Sequence, residues 1–127
     1  MPLTVAEIIV PGFVEAAPED TLGEVADRLT VANVGSAVVR DFGRLIGIIT
    51  ERDLLRAMAA RVHSSDARVR QWMTADPFVI GPDAAVAEAE RIMLDKGFRH
   101  LPVVEDGAVV AILSLRRVAK ALAATTV

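Results

Sequence analysis

Residues 47–54 read GIITERDL, and residues 111–118 read AILSLRRV. Each stretch passes from an apolar, strand-like segment through a threonine or serine into a helix-like segment. Three positions after that hydroxyl residue, the first stretch carries the acid Asp53 and the second carries the base Arg117. The same junction, present twice with opposite charges, indicates a duplicated structural unit whose two copies differ in chemistry.

The duplication extends over the whole chain, because an offset of 64 residues aligns the sequence with itself without a gap. Identical pairs along this offset include Val5 and Val69, Pro18 and Pro82, Glu24 and Glu88, Val39 and Val103, Gly43 and Gly107, and Ile48 and Ile112. We therefore predict two structural repeats, residues 1–63 and 64–127, which together form one module.

Both repeats show the same order of predicted elements after a short leading helical segment. Strands are predicted at Phe13–Ala16, Ala37–Arg40 and Leu45–Thr50, and again at Phe78–Ile80, His100–Val104 and Val109–Leu113. An amphipathic helix follows the first strand of each repeat, with expected apolar faces of Leu22, Val25, Leu29 and Ala32, and of Val86, Ala89, Ile92 and Met93. Thr21 and Glu24 predict a capping box for the first of these helices, and Asp83 is the expected N-cap of the second. The closing helices are predicted at Glu51–Arg61 and Leu115–Ala124.

This order predicts a mixed fold, α/β in the broad sense and α+β in detail, built from two pseudo-twofold-related β-α-β-β-α repeats. One repeat of this size would bury too little apolar surface to be stable alone. We therefore expect the two repeats to pack through their sheets, with two equivalent clefts where they meet.

Composition excludes several functional classes. The chain of 127 residues has no cysteine, so disulfides, thiolate metal sites and a cysteine nucleophile are absent. A net charge of −3 and an aromatic content of 4% do not favour binding to nucleic acid or to an anionic membrane. No apolar run approaches the length of a membrane helix, and the N-terminus lacks the pattern of a signal peptide. We expect a cytoplasmic protein.

The stretches GIITERDL (47–54) and GFRHLPVVEDG (97–107), with the gapless tandem repeat, resemble the CBS-domain family over essentially the whole chain. The resemblance implies a stand-alone tandem CBS pair, also called a Bateman module. It implies a regulatory module and not an enzyme, with no required cofactor and no metal. Such pairs bind adenosine-containing ligands such as AMP, ADP, ATP or S-adenosylmethionine in the clefts between repeats, and they commonly form homodimers.

Thr50 and Asp53 are the first candidate ligand-binding residues. With Gly47 they match the family's ribose motif, Gly-x-x-Thr-x-x-Asp, and a carboxylate at a strand-to-helix junction can accept hydrogen bonds from ribose hydroxyls. Thr-x-x-Asp at a helix start is also a capping box, which requires no ligand. The two roles can coexist.

Further candidates follow from the resemblance. Arg99 and His100 are expected to donate to phosphate, although a solvated arginine and a satisfied strand histidine would explain them equally well. Candidate lining residues for an adenine pocket are Val14, Ala37, Val38, Phe78 and Val79, for which ordinary core packing is the alternative.

Ser114 and Arg117 form a degenerate copy of the ribose motif, because arginine has no acceptor for a hydroxyl group. Ala111 also replaces the glycine of the motif. The second site could be empty, could bind an anion or could serve packing, and Arg117 could also be an ordinary exposed helix charge.

The sequence thus supports two functions. The first is a regulatory sensor that binds an adenosine-containing ligand and modulates a partner protein. The second is a ligand-independent scaffold for dimerisation or docking, with degenerate nucleotide sites. We expect a homodimer, because the apolar stripes of the two closing helices look too wide for one module to bury.

Overall fold

The computed structural model describes residues 2–125 and confirms the predicted α+β fold. The first repeat contains β1 (Val14–Ala16), α1 (Leu22–Ala32), β2 (Ser36–Asp41), β3 (Arg44–Thr50) and α2 (Glu51–Ala59). The second contains α3 (Val69–Trp72), β4 (Thr74–Ala75), α4 (Val86–Lys96), β5 (His100–Glu105), β6 (Ala108–Ser114) and α5 (Leu115–Thr125). A 3₁₀ helix at Val5–Glu7 precedes β1.

The chain packs into two compact units. Residues Phe13–Pro77 form one, which we call the first-repeat unit. The other, the second-repeat unit, joins the segment up to Gly12 to the residues from Phe78 onward. The units therefore follow the two repeats except at their leading segments, which are exchanged. The boundaries 1–63 and 64–127 mark the two sequence repeats. That these repeats are the two domains of the chain stays a prediction.

The first-repeat unit contains a four-stranded sheet in the order β1-β2-β3-β4. Strand β1 runs parallel to β2, and β2 pairs antiparallel with β3 through a two-residue turn. Helices α1 and α2 cover one face, where Val25, Leu29, Val39 and Ile49 form the centre of an aliphatic core. This composition follows from the scarcity of aromatic residues in the chain.

The second-repeat unit contains the antiparallel hairpin β5-β6. The strand predicted at Phe78–Ile80 is wrong as a strand, because it is reduced to a single parallel bridge between Ile80 and Val103. Only at Ile80 do both backbone groups bond to β5, with the Ile80 N–H donating to Pro102 O at 3.0 Å and Ile80 O accepting from Val104 N at 2.9 Å. Phe78 and Val79 remain about half exposed.

The exchanged leading segments are held by backbone hydrogen bonds. In the second-repeat unit, Val5 N donates to Ala84 O and Ala6 N donates to Pro82 O, both at 2.8 Å. In the first-repeat unit, Val69 N of α3 donates to Asp20 O at 2.9 Å. Val5 and Val69 are fully buried in the cores of these units, so each leading segment is an integral part of the unit that receives it.

Helices α1 and α4, which occupy equivalent positions in the two repeats, begin differently. The capping box of α1 is confirmed, since Thr21 Oγ1 accepts from Glu24 N and Glu24 Oε1 accepts from Thr21 N. Asp83 is not the N-cap of α4, because that helix begins after Ala85 and Val86 N donates to Leu3 O instead. Ala32 was expected on the buried face of α1 but is exposed at the end of the helix.

Candidate ligand-binding site

Thr50 and Asp53 lie together where β3 passes into α2. Thr50 Oγ1 accepts from Asp53 N at 3.4 Å, while Asp53 Oδ2 accepts from Thr50 N at 2.9 Å and from Thr50 Oγ1 at 3.2 Å. These bonds form a capping box that satisfies donors at the start of α2. The capping role considered from the sequence is therefore present, and it already uses one of the two carboxylate oxygens.

The other oxygen of Asp53 is paired with Arg56, one helical turn further along α2. Arg56 Nη1 lies 3.0 Å from Asp53 Oδ1. The side chain of Asp53 is only 7% exposed, whereas that of Arg56 is 62% exposed. Sequence reasoning gave Arg56 no role, although an acid and a base three residues apart on a helix are a recognisable signal for such a pair.

Gly47 has a packing role close to this junction. A Cβ atom at Gly47 would lie 2.6 Å from Met73 Sδ and 2.9 Å from Thr74 O, so a side chain there would collide with the segment that leads into β4. Gly47 faces Ala75 in the register of β3 and β4. In the second-repeat unit Ala111 forms a single parallel bridge with Gly12, where an added Cβ atom would meet nothing within 4 Å. Close strand contact thus explains Gly47 without a ligand.

The degenerate junction at Ser114 keeps half of the capping box. Ser114 Oγ accepts from Arg117 N at 3.1 Å, but Arg117 cannot return a hydrogen bond to the backbone N–H of the cap. Arg117 Nη1 instead donates to Ile8 O at 3.3 Å. Ile8 ends the leading 3₁₀ helix, so Arg117 helps to hold the exchanged segment on its unit.

The phosphate candidates Arg99 and His100 lie beside Ser114 in the same unit. Arg99 O accepts from Leu115 N at 2.8 Å, and His100 is the cross-strand partner of Ser114. The side chain of Arg99 is exposed and His100 is partly buried. The corresponding positions beside Thr50 are Gly35 and Ser36, which have no cationic side chain. The candidate phosphate donors therefore lie beside the junction that lacks the acid.

The adenine-pocket candidates fall into two groups. Ala37 and Val38 have no exposed surface, and Ala37 belongs to the aliphatic core of its unit, with Val14 beside it in the register of β1 and β2. Phe78 and Val79 are half exposed in the second-repeat unit. A contribution of either group to a pocket stays a prediction.

Phe78 is part of a small aromatic cluster that the sequence did not reveal. Its ring lies 5.8 Å from that of Phe98, and Lys96 Nζ lies 4.9 Å from the Phe78 ring centre. The first-repeat counterparts of these three residues are Val14, Val34 and Ala32. The first copy therefore lacks both aromatic rings and the lysine, so the cluster is specific to the second copy.

A bidentate ion pair fixes the edge of the sheet near Val14. Arg40 donates to both carboxylate oxygens of Glu15, from Nε at 2.7 Å and from Nη2 at 2.9 Å, and lies over the ring of Phe13. The hydrogen bond from Arg40 lowers the pKa of Glu15. Burial opposes this effect, and the positive charge of Arg40 adds a smaller contribution that lowers the pKa further.

A surface cavity of about 410 Å³ in the second-repeat unit lies apart from these residues. Its lining comprises Pro2, Leu3, Glu7, Ala85, Ala87, Leu122 and Thr125. No helix within residues 2–125 combines the length and the hydropathy required to cross a membrane.

Two β-α-β-β-α repeats with a Thr-x-x-Asp junction define a tandem α+β module, and comparison with known proteins identifies its family. The family model for the CBS domain matches residues 5–60 and 69–124. The chain therefore belongs to the CBS-domain family and contains two CBS domains in tandem.

Individual relatives agree with this assignment. An uncharacterized 17.7 kDa protein of Acidianus ambivalens is 38% identical over 96% of this chain, which covers 74% of that protein. Two uncharacterized proteins, of Methanocaldococcus jannaschii and Methanopyrus kandleri, are longer, and the chain covers 39% and 60% of them.

Solved structures share the fold. The CBS-domain protein ATU1752 of Agrobacterium tumefaciens is 31% identical with a TM-score of 0.88, covering 94% of this chain and 98% of that chain. A structure of CBSX2, a CBS-pair protein of Arabidopsis thaliana, in complex with AMP is 25% identical with a TM-score of 0.77, covering 96% of this chain and 97% of that chain.

Proposed function

We propose that this CBS pair is a regulatory sensor that binds an adenosine-containing ligand through Asp53 and modulates a partner protein. The observation that carries the proposal is the Thr50–Asp53 junction, which matches the ribose motif and holds a nearly buried carboxylate at a helix start. The solved AMP complex of CBSX2 supports the choice of ligand class. AMP, ADP, ATP and S-adenosylmethionine all carry the ribose that this junction would recognise.

Asp53 would act as an acceptor for the ribose hydroxyl groups. A carboxylate forms stronger hydrogen bonds than a neutral acceptor, and its position is already fixed by the capping bonds to Thr50. Arg99 and His100 are the proposed phosphate donors, and Val14, Ala37, Val38, Phe78 and Val79 are proposed to line the adenine pocket. No reaction is assigned to these residues, because the proposed role is recognition.

The test is the affinity for AMP of the Asp53→Ala variant, measured by titration calorimetry. Loss of hydrogen bonds to a charged acceptor costs about 1.5–3 kcal/mol, which corresponds to a loss of affinity of roughly 10- to 150-fold. An unchanged affinity in folded Asp53→Ala protein would contradict the role of Asp53.

Asp53→Ala also removes half of a helix cap, so a matched control is required. Glu24→Ala removes the equivalent half of the capping box at the start of α1, where no ligand is proposed. We expect Glu24→Ala to lower the free energy of unfolding and to leave the affinity for AMP unchanged. Chemical unfolding of both variants shows whether the two cap losses are comparable.

A second candidate function is favoured by the surface of α2. Leu55 and Met58 are largely exposed on this helix, which is typical of a protein interface. They support the alternative of a dimerisation or docking scaffold that needs no ligand. A thermal-shift screen against adenosine nucleotides and S-adenosylmethionine distinguishes the two, since a scaffold without nucleotide sites would show no shift.

A further inference from the structure

We propose that Arg56 sets the affinity of the Asp53 site by competing with the ribose of the ligand for the same carboxylate oxygen. The inference rests on the proposed binding of adenosine at Asp53 and adds a residue that regulates it. In the absence of ligand, Arg56 occupies the carboxylate of Asp53 in place of the ribose hydroxyl groups.

The hydrogen bonds of Asp53 show why the two compete. Oδ2 accepts from both the backbone N–H and the hydroxyl group of Thr50, and Oδ1 accepts from Arg56 Nη1 at 3.0 Å. A carboxylate offers about four acceptor positions in all. One position is therefore left, whereas the two hydroxyl groups of a ribose require two. Both can bind only if Arg56 leaves Oδ1, because the bonds to Thr50 hold the start of α2.

Arg56 can leave without disrupting the helix. Its side chain is 62% exposed, so water solvates the guanidinium group once the pair opens. Asp53, which is only 7% exposed, cannot be solvated in the same way and needs a replacement donor. The hydroxyl groups of a ribose supply that donor. The exchange thus moves the cation into water and keeps the buried carboxylate satisfied.

The second repeat provides an internal comparison. The position of Asp53 is occupied by Arg117, and the position of Arg56 is occupied by Lys120. Arg117 donates to Ile8 O and has no acid to pair with at this spacing on α5. A base therefore occupies this position in both copies, and only the first copy has a carboxylate with which it can pair.

The test uses adenosine, a neutral ligand without phosphate groups, so attraction between phosphate and arginine does not affect its binding. Arg56→Met keeps an unbranched apolar side chain and removes the donors of the guanidinium group, and Arg52→Met is the matched control on the same exposed part of α2. Because the arginine of the pair is largely exposed and screened by water, we expect only a small effect: Arg56→Met should bind adenosine about 2- to 5-fold more tightly than the unmodified chain. Arg52→Met should bind with unchanged affinity.

Ionic strength gives a second readout. Salt weakens the pair between Arg56 and Asp53 but not the bonds of a neutral ligand, so adenosine affinity of the unmodified chain should rise with salt. The affinity of Arg56→Met should not depend on salt.

Equal adenosine affinities for Arg56→Met and the unmodified chain, with binding intact, would overturn the competition and leave the proposed function standing. Weaker binding by Arg56→Met would also overturn it, because Arg56 would then hold the ligand. No adenosine binding by either protein would overturn this inference, and titration of the unmodified chain with AMP would then decide separately whether the proposed function stands.

Discussion

Asp53 and Arg117 occupy equivalent positions with opposite charges, and the hydrogen bonds of each side chain within its own unit account for both. Asp53 completes a capping box at the start of α2. Arg117 gives up that return bond and donates to the carbonyl group of Ile8 instead. The second repeat has thus replaced an acceptor that could hold ribose with a donor that holds the leading segment.

This difference predicts the number of ligands that one chain binds. We expect titration calorimetry with AMP to saturate at one nucleotide per chain, because Arg117 offers no acceptor to ribose. Arg117→Asp restores an acid three residues after Ser114 and should create a second, weaker site. Two equivalent sites in the unmodified chain would contradict the claim that Arg117 disables its copy. A single site in both proteins would show that Ala111 or another residue is a further obstacle.

The two hairpins have the same backbone turn but different residues in it. Phe42 and Asp106 both adopt left-handed backbone angles, with φ of 50° and 52°, and each is followed by a glycine. Aspartate tolerates this conformation, whereas a bulky aromatic residue rarely adopts it. Phe42 is also 97% exposed, so no packing within the described chain compensates for the strained backbone.

We therefore expect Phe42→Asn to stabilise the first-repeat unit. The expected gain in free energy of unfolding is about 1 kcal/mol or less, because asparagine is among the residues that adopt left-handed angles at low cost. Denaturant unfolding of the variant measures the gain. The control is Asp106→Phe, which places an aromatic residue in the same backbone conformation of the other hairpin. It should lower the free energy of unfolding by a similar amount. A less stable Phe42→Asn protein would show that Phe42 makes a favourable contact.

On the scale of the whole molecule, the two closing helices use their apolar residues differently. Both apolar stripes were expected to be too wide for the module to bury, but Val118 of α5 is fully buried and Leu122 packs against the same core. On α2, Leu55 and Met58 remain 66% and 73% exposed. The proposed homodimer interface is therefore narrowed to α2.

Sedimentation equilibrium at micromolar concentration tests the dimer. We expect a dimer mass for the unmodified chain and a shift towards the monomer for Leu55→Glu, because a buried carboxylate at the interface is costly. Leu94→Glu is the matched control, since Leu94 on α4 is 64% exposed and receives the same charge. A monomer mass for the unmodified chain that does not change with concentration would rule out the dimer.

The sequence alone determined the repeat, the family and most of the order of elements, apart from the strand expected at Phe78–Ile80 and the short strand β4. The gapless repeat and the hydrophobic periods of 2 and 3.6 residues can be read without knowledge of packing, because hydrophobic periodicity is a local property. The Thr50–Asp53 and Thr21–Glu24 capping boxes were predictable for the same reason, since their partners lie three residues apart.

Only the tertiary structure decided which copy receives each leading segment, because the repeat period is the same whichever unit Val5 or Val69 joins. In the tertiary structure the start of α4 donates to Leu3 O and not to the expected cap Asp83. Arg117 donates to Ile8 O, which lies 109 positions away in the sequence. These contacts join residues distant in sequence, and no local pattern specifies them. The pair between Asp53 and Arg56 is intermediate, since its spacing is local but its burial depends on the folded unit.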